Sequence, residues 1–311
     1  MNQHKTPVQF IEIDDEHVGR RIDNFLLNKL KGLPKSRLYL LLRKGEIRVN
    51  KKRIKPSYKL QQNDVIRIAP LRLATEVQPS KPNKELLKKL SNKILYEDQD
   101  LLIINKPVGI AVHGGSGIRL GLIESLRIMR PEEHFLELVH RLDRDTSGCL
   151  IIAKKHRVLR ELHKLLRENK IGKIYTALTL GHWPKKINKV NIALRKNVLR
   201  SGERIVKASE EGKAAFTEFT VMQNFAISSL VTVRLYTGRT HQIRAHAQLS
   251  GHPVAGDDKY GDRAFNRIMQ KKGLRRMFLH ARKIKFMLAS GKKISIEAPL
   301  DDELEQFLKQ L

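Results

Sequence analysis

The stretch LELVHRLDRDTSGCLIIAKK, residues 136–155, decides the fold of the larger part of this chain. Apolar residues lie near both ends, and a polar centre, RLDRDTSG, separates them. Asp, Ser and Gly between two short apolar runs are typical of a turn that joins two strands. The stretch therefore predicts two strands around a polar turn.

Similar strand patterns continue on both sides of this stretch. One precedes it, ILYEDQDLLIINKP, and the others follow it: KIYTALTLG, KAAFTEFTVM, AISSLVTVRLY, MFLHARKIKFML and KKISIEA. Helical spacing of apolar residues occurs in HRVLRELHKLLREN, THQIRAHAQL and DDELEQFLKQL. Because the strands cluster rather than alternating with helices, we expect an α+β domain over residues 85–311, with a mostly antiparallel, mixed sheet and a central cleft.

The N-terminal part of the chain has a different pattern. Apolar residues recur at helical spacing on either side of Pro34, Gly45 ends the second helix, and strands follow at GEIRV and DVIRI. We therefore expect a small helix-hairpin domain at 1–70, with its core at about 18–70. The proline-containing segment that follows predicts a linker at 71–84.

Positive charge dominates the composition. The chain has 61 Lys and Arg against 32 Asp and Glu, a formal net charge of +29, among 311 residues. Residues 20–59 alone hold fourteen Lys and Arg against two acidic residues. Like charges at this density on a folded unit repel one another unless a polyanion neutralises them, so a nucleic acid is the expected partner.

The remaining composition excludes several classes of protein. A single cysteine, Cys149, excludes a disulfide framework and a zinc site built on several thiolates, and fits a reducing compartment. No segment has the length and apolar character of a signal sequence or membrane span. We therefore expect a cytoplasmic protein with no membrane partner, and nothing implies a protein partner.

Asp143 is a candidate functional carboxylate, and the alternative is that it forms a plain ion pair, as a lone aspartate more often does. It lies where an apolar strand is expected to end, and a buried carboxylate there needs a cation. The segment TGRTHQIRAHAQLSGHP at 237–253 supplies two candidates, Arg239 and Arg244. Asp145, followed by Thr, Ser and Gly, is most simply a turn residue.

Two further clusters accompany this segment. Lys173 and Tyr175 are two residues apart and are expected on one face of a strand, where the tyrosine packs in the core or stacks on a base. AVHGGSG at 111–117 lacks the ending of a P-loop and predicts a loop beside the cleft. The twelve histidines have no spacing typical of a metal site, and His241 and His246 are five residues apart.

The motifs in combination resemble known families. RIDNFL, with the segment KSRLYLLLRKGEIRVNKKRIKPSYKLQQNDVIRI, resembles the small RNA-binding domain first described in ribosomal small-subunit protein S-four. HRLDRDTSG, KIYTAL and GRTHQIRAH, in this order, resemble the pseudouridine synthases of the RluA type. The second resemblance implies isomerisation of specific uridines in large-subunit (23S) ribosomal RNA to pseudouridine, without cofactor or metal.

The resemblance also implies residue roles. Asp143 matches the essential aspartate and Arg244 its paired arginine, while Ile243 lies beneath the base. Tyr175 packs against the base and has been proposed to help remove a proton, and Arg141 holds the RNA. Arg239 and Lys173 are further candidates for substrate binding. For RNA binding by the small domain, the candidates are the cations of its basic face: Arg37, Arg43, Lys44, Arg48, Lys51, Lys52 and Arg53.

Three alternatives stay open at this point. The first is a non-catalytic RNA-binding protein, which does not require the further residues around Asp143. The second is an enzyme that cleaves RNA or transfers phosphoryl groups, which usually needs an acidic metal cluster or a pair of histidines. The third is the same isomerisation at other uridines or on tRNA. Sequence does not decide whether Asp143 attacks the ribose, attacks the base or assists elimination.

Overall fold

The computed structural model describes residues 3–15, 17–30, 32–74, 84–114, 120–198 and 204–311. The chain divides into two compact units, Met1–Ser80 and Lys81–Leu311. Within the described residues, no helix is long and apolar enough to cross a bilayer.

The described residues of the first unit form two helices and two small sheets. Its elements are β1 (Gln3–Lys5), β2 (Gln9–Glu12), α1 (Ile22–Lys29), α2 (Lys35–Lys44), β3 (Ile47–Val49), β4 (Val65–Ile68) and β5 (Arg72–Ala74). Strands β2, β4 and β3 form an antiparallel sheet, and β1 pairs with β5. Helix α2 begins after Pro34 and ends at Gly45, which has φ of 74°.

The predicted helices supply the core of this unit. The buried apolar residues include those at helical spacing on either side of Pro34: Ile22, Phe25, Leu26, Leu30, Leu38, Leu41 and Leu42. Their burial leaves the cationic side chains of the same helices on the surface. The helix-helix-hairpin prediction is confirmed, and β1, β2 and β5 add to it.

The segment predicted as a linker, 71–84, differs from that prediction at both ends. Arg72–Ala74 pair with β1, and a helix begins at Lys84. Strand β5 was not predicted, because its three residues pair only with β1, which is far away in sequence. Residues 75–83 lie outside the described part of the chain.

The second unit is larger and mixes helices with a long sheet. Its elements are α3 (Lys84–Ser91), β6 (Ile94–Glu97), β7 (Leu101–Lys106), α4 (Leu122–Met129), β8 (Glu137–Leu138), β9 (Ser147–Ala153), α5 (His156–Arg167), β10 (Gly172–Leu180), β11 (Ile187–Asn191), β12 (Leu194–Val198), β13 (Arg204–Ala208), β14 (Phe216–Phe225), β15 (Ser228–Leu235), α6 (Gln242–Leu249), α7 (Arg263–Lys271), β16 (Leu279–Met287), β17 (Lys293–Glu297) and α8 (Asp302–Leu308).

The main sheet has ten strands and the order β11-β14-β15-β10-β16-β9-β7-β6, with β17 beside β16 and β8 beside β9. Its pairs are antiparallel except for β16 with β9, which run parallel through His280↔Ser147 and Ala281↔Gly148. The predicted α+β class with a mostly antiparallel, mixed sheet is confirmed. Strands β12 and β13 form a separate hairpin.

The stretch that decides the fold contains a shorter first strand than predicted. Strand β8 has only two residues, and the chain from Val139 to Thr146 forms a loop before β9. Asp143 therefore lies in a loop rather than at a strand end. The sequence patterns also left α3, α4, α7 and the β12–β13 hairpin unassigned.

The parallel contact between β9 and β16 anchors this loop. Gly148, with φ of +110°, packs so closely that an added Cβ would lie 2.3 Å from the carbonyl oxygen of Ala281. Next to it, the Ser147 hydroxyl lies 2.8 Å from Nδ1 of the buried His280. Only glycine permits this approach, so the position of the Asp143 loop depends on Gly148.

Substituting Gly148→Ala is expected to destabilise the protein by about 3 kcal/mol or more, because backbone strain and a backbone clash add. Gly291→Ala is the matched control. It also has a positive φ, +81°, but nothing lies within 4 Å of an added Cβ. We expect the control to cost about 1 to 2 kcal/mol. Denaturant unfolding of both variants measures the difference, and equal losses would contradict the close approach.

Candidate active site

The loop that carries Asp143 is held by a buried lysine. Lys106, fully buried at the end of β7, donates hydrogen bonds from Nζ to the carbonyl oxygens of Arg144 (3.0 Å), Ile110 (2.9 Å) and Pro107 (2.8 Å). Gly109 donates its N–H to the same Arg144 carbonyl, at 2.9 Å. The backbone after Asp143 is thereby tied to the loop that follows β7.

Asp143 pairs with Arg244. Nη1 of Arg244 donates to Oδ2 of Asp143 at 2.9 Å, across 101 residues of sequence. Arg239 does not compete for this carboxylate, since its side chain is exposed and its Nε donates to the carbonyl oxygen of Ala214. The predicted choice of Arg244 over Arg239 is confirmed. The Asp143 side chain keeps 26% of its surface exposed, so it is less buried than expected.

Arg244 also binds a second carboxylate, Asp257. Nε and Nη2 of Arg244 donate to the two Asp257 oxygens at 2.7 and 2.8 Å, and the Asp257 side chain is 0% exposed. Burial alone raises the pKa of Asp257, but the hydrogen bonds and charge of Arg244 outweigh burial and lower it. Sequence reasoning missed Asp257, because two acidic residues in GDDKY look like a surface turn.

A small apolar pocket of about 60 Å³ adjoins the ion pair. Tyr175 and Ile243 line it together with Asp143 and Arg244. Tyr175 is 7% exposed, and burial, assisted by the charge of Asp143, raises its pKa. Arg141 lines the same pocket, so the structure brings together all five residues to which the resemblance gave roles.

Lys173 does not join Tyr175 in this pocket. In the pairing of β10 with β16, Tyr175 lies opposite a bulge in β16, formed by Ala281 and Arg282. Lys173 is half-buried near Gly238, and burial, with the nearby charge of Arg239, lowers its pKa. Neither Lys173 nor Arg239 is among the described residues that line the pocket or the larger cleft.

The pocket opens beside a cleft of about 920 Å³. Asp143 and Arg244 line the cleft too, and its cationic lining consists of Arg141, Arg144, Lys259, Arg275 and Arg276 besides Arg244. Arg141 is exposed, as a residue that contacts a large substrate requires. Asp145 pairs with Arg144 at 3.0 Å on the exposed side of the loop, while Ser147 bonds His280 and Arg276 instead of its own turn.

His241 is a site residue that the sequence analysis weighed only as a metal ligand. It adopts the left-handed conformation, with φ of 50°, just before α6. Its Nε2 lies 3.8 Å from Oδ1 of Asp143, and its Nδ1 lies 3.0 Å from the hydroxyl of Tyr260. That hydroxyl also accepts the N–H of Val206 and has its own proton available for Nδ1, an arrangement that leaves the ring proton on Nε2.

The other predicted elements of the site have plainer positions. His246 is buried and bonded to Thr217 and Ile192. Among the described residues, no group of three or more His, Cys, Asp or Glu could hold a metal ion. Val112 and His113 line the cleft, but residues 115–119, including the rest of GGSG, lie outside the described part of the chain.

The first unit carries its own cationic surface. Six of the seven candidate RNA-binding residues are exposed: Arg37, Arg43, Lys44, Lys51, Lys52 and Arg53. Arg48 is half-buried and donates from Nε to the carbonyl oxygen of Gly45 at 3.0 Å. No ion pair to these seven side chains occurs within the described residues, so their charge is available to an anion.

Comparison with known proteins identifies relatives of both units. Residues 100–249 match the family described as RNA pseudouridylate synthase, and residues 20–66 match the S4 domain. Ribosomal large subunit pseudouridine synthase C of Escherichia coli (strain K12) is 52% identical over 312 residues, covering 99% of this chain and 98% of the relative. The protein of the same name from Pasteurella multocida (strain Pm70) is 50% identical over 319 residues, covering 100% and 98%.

Two solved structures of human proteins are similar in fold to this chain. Human RNA Pseudouridylate Synthase Domain Containing 4 aligns with a TM-score of 0.61 and 28% identity, over 73% of this chain and 95% of the human chain. Human RNA Pseudouridylate Synthase Domain Containing 1 aligns with a TM-score of 0.59 and 25% identity, over 71% and 86%.

Arg244→Ala is expected to destabilise the protein by about 3 to 5 kcal/mol at pH 7, because it leaves Asp257 charged and buried without a partner. The loss should shrink as the pH falls, since protonation of Asp257 removes the uncompensated charge. In the wild type, Arg244 lowers the pKa of Asp257, so the ionised Asp257 stabilises the folded protein at pH values above the unfolded-state pKa of about 3.9. That stabilisation disappears as the pH falls through the lower pKa of the folded state.

Urea unfolding of Arg244→Ala and wild type between pH 7 and pH 4 measures this difference. Arg239→Ala is the control, because it removes an exposed arginine of the same segment and should cost little at any pH. A loss that stays constant with pH would contradict the assignment to Asp257.

Proposed function

Because this chain belongs to the RluA-type RNA pseudouridine synthases, we propose that it converts uridines of large-subunit ribosomal RNA to pseudouridine, with Asp143 as the reacting carboxylate. Relatives that share about half of its residues over nearly the full chain carry ribosomal large subunit in their names. Ribosomal RNA also accounts for the net charge of +29. The cytoplasm, where such RNA is made, is the proposed compartment.

One observation carries the proposal for Asp143. Its carboxylate is held by Arg244 through a single oxygen and remains partly exposed at the junction of an apolar pocket and a cleft lined by several exposed arginines. Arg stays protonated at all relevant pH values, so its contact with Asp143 is a charge-assisted hydrogen bond. An ionised, partly exposed carboxylate is the form that can act as nucleophile or base.

The reaction itself explains the rest of the lining. The glycosidic bond from the ribose C1′ to N1 of uracil breaks, a bond from C1′ to C5 forms, and the proton on C5 leaves while N1 gains one. Product and substrate are isomers, so no oxidant or group donor is consumed. An ionised Asp143 serves each of the three routes, whether it attacks the ribose, attacks the base or assists elimination.

The target base must leave its stack to reach Asp143. Unstacking costs a few kcal/mol, and contact with apolar and aromatic side chains offsets it. Tyr175 and Ile243 form such a wall beside Asp143. The raised pKa of Tyr175 keeps its phenol protonated at neutral pH, which favours packing against the base over removal of a proton. Arg141, at the exposed side of the cleft, is suited to hold the RNA backbone.

The first unit is proposed to dock the enzyme on its RNA. Its match to the S4 domain and its exposed cations support this role. Lys173 and Arg239 remain proposed RNA contacts near the cleft, outside the pocket that holds the base. Comparing pseudouridine maps of total RNA from cells with and without the gene tests the substrate: loss of modified sites confined to large-subunit RNA supports it, and loss confined to tRNA contradicts it.

Asp143→Asn should abolish turnover while leaving folding and RNA affinity nearly unchanged, since the amide is isosteric but neither nucleophilic nor basic. Asp145→Asn is the matched control, because it is the same change two residues away in a surface ion pair. Tritium release from C5-labelled ribosomal RNA measures turnover. Equal rates for Asp143→Asn and wild type would falsify the proposed role.

Removing three exposed cations of the first unit, Arg43→Gln, Lys44→Gln and Lys52→Gln, should weaken RNA binding and reduce the salt dependence of the affinity. Each lost phosphate contact lowers the slope of log K against log salt by about 0.7 to 0.9, so the triple variant should lose roughly 2 to 3 units of slope. Fluorescence anisotropy between 50 and 200 mM salt provides the slopes.

A triple variant of the second unit, Lys285→Gln, Lys293→Gln and Lys309→Gln, has the same charge change on exposed residues away from the cleft. The docking role is wrong if both triple variants lose the same slope, or if neither does.

A further inference from the structure

We propose that Asp257 is a positioning residue for the reaction: it fixes the guanidinium of Arg244 so that only one N–H reaches Asp143, which leaves the second oxygen of Asp143 for the substrate. The inference rests on the proposed role of Asp143 and adds a residue that does not touch the reacting atoms.

The geometry of Arg244 divides its donors between two carboxylates. Nε and Nη2 form the side-on, two-bond contact with Asp257, at 2.7 and 2.8 Å, and this contact occupies one edge of the planar fork. Only Nη1 then points at Asp143, at 2.9 Å from Oδ2. The orientation of the fork is therefore set on the Asp257 side, away from the cleft.

Asp257 is itself held rigidly. Its Oδ1 accepts the backbone N–H groups of Lys259 and Tyr260, at 2.9 and 3.0 Å, in addition to Arg244. Its carbonyl oxygen accepts the N–H of Gly261 and Nδ2 of Asn266. With a side chain that is 0% exposed and four such contacts, Asp257 cannot follow Arg244 if the arginine turns.

The second oxygen of Asp143 is left unbonded by this arrangement. Within the described residues no side chain or backbone N–H comes within hydrogen-bond distance of Oδ1, and Nε2 of His241 stays at 3.8 Å. Without Asp257, the fork of Arg244 would be free to bind both oxygens of Asp143, which is the preferred contact between Arg and a carboxylate. The carboxylate would then be charged but blocked. Asp257 prevents this state.

A merely structural role for Asp257 predicts a different outcome. If it only neutralises a buried arginine, its removal lowers stability, and the remaining folded protein reacts at the wild-type rate. If it positions Arg244, the folded protein itself reacts slowly. The single-turnover rate, measured well below the unfolding temperature, separates these outcomes.

The experiment uses the full-length protein and C5-tritiated large-subunit ribosomal RNA, with Asp257→Asn as the test variant. We expect its single-turnover rate to fall about 100-fold, the effect of a misplacement near 1 Å, with little change in the RNA dissociation constant. Asp257→Glu, which can still bind the fork at two points, should recover part of the rate. Asp262→Asn is the matched control, because that side chain caps α7 and asparagine caps equally well.

The same substitution is then made in an Arg244→Lys background. A lysine ammonium has no fork to orient, so Asp257→Asn should lower the rate of this variant by less than about threefold. The inference is overturned if Asp257→Asn reacts at the wild-type rate. It is also overturned if adding Asp257→Asn to the Arg244→Lys variant lowers the rate by the same factor of about 100. An active Asp143→Asn variant would instead overturn the proposed function, so the two failures are distinguishable.

Discussion

The sharing of one buried guanidinium between two carboxylates is the constraint on which the site depends. Arg244, Asp143 and Asp257 come from three segments: α6, the loop before β9 and the loop before α7. A buried guanidinium lowers the stability of the fold unless its N–H donors are hydrogen-bonded. The triad is therefore stable only when all three segments are folded against one another. The ion triad thus links assembly of the domain to assembly of its reactive group.

The centre of the sheet provides the platform for this triad. Strands β10, β16 and β9 are neighbours, and the parallel contact of β9 with β16 sets where the Asp143 loop leaves the sheet. Arg276 ties this platform to the C-terminal part of the chain, because it donates to Ser147 and pairs with Asp301 at the start of α8. Tyr175 enters the pocket from β10, opposite the bulge in β16. Backbone geometry in the sheet therefore decides which side chains meet at the pocket beside Asp143.

Sequence reasoning reached those parts of the fold and site that depend on local patterns and on charge matching. Apolar periodicity located α1, α2, α5, α6 and α8. The need of Asp143 for a cation pointed to the segment that carries Arg239 and Arg244, and the family resemblance selected Arg244. It could not reach Asp257, whose burial depends on how distant loops pack. It placed Lys173 on the same face of β10 as Tyr175, but it could not show that the pocket is lined by Tyr175 and not by Lys173.

The negative charge of the site and that of the proposed RNA substrate repel each other, and the lining of the cleft offsets this repulsion. Asp143, Arg244 and Asp257 together carry a net charge of −1, yet the proposed substrate is a polyanion that must approach Asp143 closely. Arg141, Arg144 and Arg275 are exposed along the same cleft and attract phosphates, while the apolar wall of Tyr175 and Ile243 receives an uncharged base. Repulsion from the triad falls off with distance, whereas arginine–phosphate contacts are short and charge-assisted. The RNA backbone can therefore stay at these exposed arginines while only the uncharged base approaches the carboxylate.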